Sequence, residues 1–239
     1  MITALTLTCL LLIQPADPQP TELRELLPGI RIGEGIVEFE GEVCINAHHP
    51  DTPDVYLEML VTAPDSREHE SLVMAKVKPS NLHAALLAAG FESGSPLSRD
   101  EEGKAVNAHG ESLVVSVAVL SDTEPESGAW TPIVDWVTHI DNASKLTESE
   151  QWDGLVFAGS RFTGRGYEAD GTGTLISLTS FGDEVIAPRW TLSHHAEVDE
   201  PVWIANRDLL PEKGTRVMVR IQGVPESHEP ERVDIDGDP

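Results

Sequence analysis

A chain of 239 residues, 40% hydrophobic and only 5% aromatic, is long enough to bury the core of one domain or of two small ones. Its 41 acidic residues against 16 Lys plus Arg give a formal charge of −25, spread along the chain, which disfavours nucleic acid and anionic lipid as partners and argues for a solvated acidic face. Two cysteines cannot supply the four thiolates of a typical iron–sulfur cluster or of an all-cysteine zinc site, so such a cofactor is disfavoured.

Residues 2–13 are apolar or small, and the Pro-rich stretch 15–20 breaks the run. This is how the apolar core and cleavage region of an export signal read, and the run is too short to span a bilayer. The expectation is a signal peptide with linker over residues 1–20, a domain over 21–222, and an exported protein, periplasmic or extracellular, with no membrane span in its mature chain. Cys9 would leave with the signal, and Cys44 would remain without an internal partner.

Residues 23–32 carry a turn at Pro28-Gly29, and 35–44 alternate apolar with acidic side chains. That period of two predicts a strand with Val37, Phe39, Val43 and Ile45 inward. Strands follow over 55–63 and 71–77, and the three together read as an antiparallel meander. Pro79 and Ser80 open a helix over 80–89, Ser80 offering a cap oxygen and Gly90 ending it. Composition makes 92–111 a mobile surface excursion, whereas the Val-rich 113–120 predicts a buried strand. Residues 130–140 fit a strand or a short helix. Strands are expected again at 154–162, 174–178 and 215–221, with a Gly-rich hairpin loop holding Gly164, Gly166, Gly171 and Gly173. Six acidic residues and one Arg after Gly223 predict a disordered acidic tail over 223–239. The fold class is therefore α+β, mainly antiparallel sheet with one clear helix.

Arg67-Glu68-His69-Glu70-Ser71, the Lys78-Pro79-Ser80 helix start with His83, Gly94-Ser95-Pro96, and Val156-Phe157-Ala158-Gly159-Ser160 resemble the YdjY-domain family. Pro28-Gly29-Ile30-Arg31, the strand at 39–44, Tyr167-Glu168-Ala169-Asp170 and Leu210-Pro211 with Gly214-Thr215 are similar to it as well, so the likeness runs from about residue 28 to 222. The resemblance implies an exported bacterial protein, planctomycete-like members included, whose domain has no established activity. No catalytic residue is carried over from it.

The block around His69 is the leading site candidate. A strand would set His69 opposite Glu68 and Glu70, whereas a loop could gather all three. Should His83, in the first turn of the helix, come near, then His69, Glu70 and His83 would form a His/His/carboxylate set suited to zinc or iron. The doublets His48-His49 and His194-His195 read as surface, because neighbours on an extended chain point oppositely. Ser160 lacks the surroundings of a nucleophile and reads as a tight turn. Asp234-Ile235-Asp236-Gly237-Asp238 begins like a calcium loop without the residue that closes one. The leading function is a binding or structural module of the cell envelope with a protein or envelope partner, favoured over an enzyme. A metal-dependent hydrolase using the His/His/Glu set and a calcium-responsive acidic surface protein are the alternatives.

Overall fold

The computed structural model describes residues 22–49, 51–121 and 129–224. The expected signal peptide and nearly all of the acidic tail, including the calcium-like run, lie outside the described residues. Eleven strands share one sheet: β1 (Arg24–Leu27), β2 (Ile30–Gly33), β3 (Ile36–Val43), β4 (Met59–Thr62), β5 (Ser71–Met74), β6 (Ser112–Val119), β7 (Thr131–Pro132), β8 (Leu155–Phe157), β9 (Thr174–Ser177), β10 (Ile186–Pro188) and β11 (Arg216–Gly223). Their order is β1-β2-β3-β11-β6-β8-β10-β9-β4-β5, with β7 beside β6. Pairing of Glu42 with Met74 and of Val43 with Val73 brings β5 back onto β3 and closes the last eight strands of that order into a barrel.

The period of two read in β3 sets the register of the barrel wall. Phe39 lies opposite Val219, and Val219 opposite Val117, so one row of apolar side chains crosses three strands into the core. On the outer face of the same strands Glu38, Glu40 and Glu42 meet Arg220, Met218 and Arg216. Glu38 is buried there, gripped by Arg31 at 2.8 Å and by Arg220, whose guanidinium lies 3.8 Å over the Trp130 ring. One continuous core runs from Ile30 to Ile221, and Val37, Phe39, Val43 and Ile45 all belong to it, as their alternation predicts.

The expected meander is corrected by the pairing. β5 lies between β3 and β4, and β4 runs parallel to β5, with Met59 opposite Ser71 and Val61 opposite Val73. β9 and β10 are also parallel, and β4 pairs β9 antiparallel. Apolar periodicity marks the faces of these strands but not their partners, which is why it did not reveal the parallel pairs. The chain returns between each pair through eight residues, 63–70 and 178–185, hereafter the first and second crossovers. The strand order β5-β4-β9-β10 is thus symmetric about the β4–β9 contact.

Helix α1 (Pro79–Ala88) buries Leu82, Ala85 and Leu86 against this core. Its cap differs from the expected one. Lys78 is the N-cap, Pro79 takes the first turn, and the free Ser80 N–H is satisfied from a distance by Asp170 Oδ1 at 2.8 Å. Asp170 belongs to a short helix α2 (Glu168–Thr172), ended by Gly173 at φ +76°. The Gly-rich segment read as a hairpin loop is a hairpin of Phe162–Thr163 with Gly166–Tyr167 followed at once by this helix. The excursion 92–111 is likewise a hairpin, held by reciprocal Ser95–His109 backbone hydrogen bonds and by Ser98 opposite Val106. Ala108 from it covers Val156, Ala158 and Ala187, a second small apolar cluster. Residues 130–140 combine both expected forms, a 3₁₀ turn (Ile133–Trp136) between short strands.

Candidate functional site

Glu58 stands just before β4, where both crossovers touch it. Its backbone N–H donates to Glu70 O at 3.0 Å, at the end of the first crossover. Its carbonyl accepts from Leu178 N–H at 2.9 Å and Thr179 N–H at 3.1 Å, at the start of the second. The parallel pairs therefore hold Glu58 and Glu70 side by side. Arg67 Nη1 reaches both, 2.9 Å from Glu58 Oε2 and 3.3 Å from Glu70 Oε1. The same guanidinium lies 4.2 Å over the ring of Phe181, so the two crossovers meet through a cation–π contact.

Burial and the neighbouring Glu70 push the Glu58 carboxyl up to about 7, with Arg67 opposing. Two acids beside one fixed cation leave one negative charge unmatched, and a shared proton is the way such a pair relieves it. His69 lies in a 3₁₀ turn (Glu68–Glu70), not on a strand, 78% exposed and with Nε2 3.7 Å from Glu70 Oε2. Glu68 turns the other way: its carboxylate accepts the backbone N–H groups of Asp65 and Ser66, and hydrogen bonds from its own and these N–H groups hold it below the ordinary carboxyl value.

The pair opens into a cleft of about 420 Å³. One wall is the strand lead-in with Asp54, Tyr56 and Leu57, paired to Trp203 and Ile204. The other is the segment 192–202, where Asp199 Oδ2 accepts the Ser193 N–H at 2.6 Å. His194 lines the cleft, stacked on Phe181 at 4.7 Å, its Nδ1 buried without a hydrogen-bond partner among the described residues. Burial first, then His195 and Arg67, lower its pKa and favour the neutral ring. A larger recess of about 680 Å³ lies beside β3, but its arginines, Arg31 and Arg216, are already paired with Glu38 and Glu40. The smaller cleft holds the perturbed Glu58 and is the candidate site.

His83 lies elsewhere. Its Nδ1 is 2.9 Å from both Gly159 O and Tyr167 Oη, and its ring stands edge-on to Phe157. Its pKa is lowered by burial, while the Gly159 carbonyl opposes the shift. Ser160 has φ +54°, which agrees with the tight-turn reading, and its N–H donates to Glu184 O. The structure thus brings His69 and Glu70 together, gives His83 other partners, and among the described residues places no group of three or more His, Cys, Asp or Glu for a metal ion. His48 Nε2 bonds Leu210 O at 2.8 Å. Cys44 lies beside Ser71 O, and burial pushes its thiol up to about 12.

Glu58 and His194 escaped the sequence reading. A charged residue directly before the wholly buried Met59–Thr62 is the one local hint of the first. The second was seen only as a surface doublet, because its stacking partner lies in another loop.

A small closed barrel with two parallel returns and an acid-lined cleft defines the class. The chain belongs to the YdjY domain family, which matches residues 33–222 and is a domain of unknown function. No curated protein and no solved structure matches the chain. Among the described residues no helix is long and apolar enough to cross a membrane.

Proposed function

We propose that this is an exported module of the cell envelope that binds a ligand in the cleft between its two crossovers. The observation that carries the reading is the pairing of Glu58 and Glu70, both held by Arg67, in a concave space walled by Tyr56 and Trp203. Glu58 and Glu70 directly precede β4 and β5, and aromatic surface lies beside them, the usual make-up of a small-ligand site. The apolar run at 2–13 supports export. A photo-crosslinking residue at position 56, whose side chain is 42% exposed, tests the binding role in the native host. An adduct at position 56 that is absent at the exposed Val106, which does not line the cleft, is the expected result, and the lack of any adduct at position 56 refutes the reading. N-terminal sequencing of the mature protein from the exported fraction tests the location, a start near residue 20 being expected.

A further inference from the structure

We propose that the cleft takes the ammonium head of a small amine, seated between Glu58 and Glu70 with its apolar body along Tyr56 and Trp203. The inference rests on the cleft being the ligand site and names what fills it.

Charge balance at the base of the cleft is the first argument. Glu58 and Glu70 face each other with Arg67 as their only fixed cation among the described contacts, and that guanidinium is held from below by Phe181. His69 adds a positive charge only when protonated, and it stands mostly in solvent. An ammonium group with three donors replaces the shared proton and satisfies both carboxylates at once.

The walls agree. Among the described residues no lysine or arginine lines the cleft, whereas Asp54, Asp199 and Glu200 join Glu58 and Glu70 there. Asp54 is already paired with Arg207 at 2.6 Å, and Asp199 holds the Ser193 N–H, so both are fixed near the mouth. Of the two imidazoles, His194 has its pKa lowered by burial and by the neighbouring His195 and Arg67, against the Ser180 backbone and Asp183, which favours the neutral ring and a polar surface that does not repel a cation. Leu192, Val202 and Trp203 supply the surface for a stem. A volume of about 420 Å³ suits a small amine or a single lysine side chain, and a second copy of a chain with net charge −25 would be repelled.

Amine binding displaces a proton from the acid pair near and below neutral pH, so binding and proton release are linked. The test is calorimetry of the purified domain with 2-phenylethylamine at pH 6.5 in two buffers of different ionisation enthalpy. The neutral isostere 2-phenylethanol is the control, and the peptide acetyl-Gly-Lys-Gly-amide separates a tethered lysine from a free amine as the source. Expected are proton release towards ~1 per amine bound, and affinity lower by ~10-fold or more for the alcohol and for Glu58→Gln or Glu70→Gln. Tyr56→Ser, at an exposed wall position, should weaken the amine without changing the proton count. Equal affinity for amine and alcohol, no amine binding, or binding unchanged in both Gln variants overturns the proposal. Should the position-56 adduct form in the host while amines neither bind nor suppress it, the ligand class is wrong and the binding cleft stands. A missing adduct removes the cleft itself.

Discussion

The first and second crossovers have equal length and equivalent places in the strand order, and each folds a glutamate back onto two backbone N–H groups. Glu68 accepts from Asp65 at 2.6 Å and Ser66 at 3.1 Å, and Glu184 accepts from Gly182 at 2.6 Å and Asp183 at 2.8 Å. The outcomes are opposite. Glu68, near solvent, is held below the ordinary carboxyl value, whereas Glu184, fully buried with Oε1 unpartnered, is pushed up to about 7. Similar hydrogen bonds cannot explain opposite shifts, so desolvation decides the sign. The first crossover keeps its acids where a ligand can reach them, and the second spends its acid inside and presents Phe181 instead.

The largest effect expected comes from Gly173, the residue ending α2, which packs against the first crossover. A Cβ at Gly173 would lie 2.5 Å from Ser66 Oγ of the first crossover, on a backbone with φ +76°. Left-handed strain and overpacking together should make Gly173→Val lose roughly 3 kcal/mol in urea unfolding. Next comes Glu184. A carboxyl raised from 4.5 to about 7 binds its proton more tightly folded than unfolded, so its contribution is complete below pH 4.5 and is lost as pH rises through 7. Glu184→Gln should therefore raise stability at pH 8 by on the order of 2–3 kcal/mol relative to the parent and change little at pH 4. Unfolding curves at the two pH values measure it.

Arg67→Ala should cost about 1 kcal/mol, since the ion pairs are partly solvated, and should move the Glu58 titration upward in carboxyl-detected NMR. The smallest effect belongs to Glu68→Gln, under ~0.5 kcal/mol after allowance for solvent screening. Its sign is the informative part: a carboxyl held low supports the fold above its ordinary pKa and loses that support as pH falls, the reverse of Glu184. Matching pH dependence for the two variants would break the comparison.

The faces of β3, β6 and β11 were legible because long strands with one buried side repeat every second residue. Helix α1 was legible through Pro79 and Gly90, yet its cap was not, since Asp170 lies ninety positions away in sequence. The three-residue strands Ile186–Pro188 and Trp203–Ala205 are too short to show a period. At the site, the Arg67–Glu70 block announced itself by its charges. Its true partners did not, because Glu58, Phe181 and His194 reach it only through parallel pairing, which no local pattern encodes.

The partly buried thiol of Cys44 gives the folded barrel a built-in chemical clock. With its pKa near 12, only about one molecule in 10⁵ carries a thiolate at pH 7, so alkylating reagents should pass over the native protein. In a chain carrying Cys9→Ser, the rate of iodoacetamide labelling would count excursions that pull β3 away from β5, and hence how often the barrel unzips at its seam.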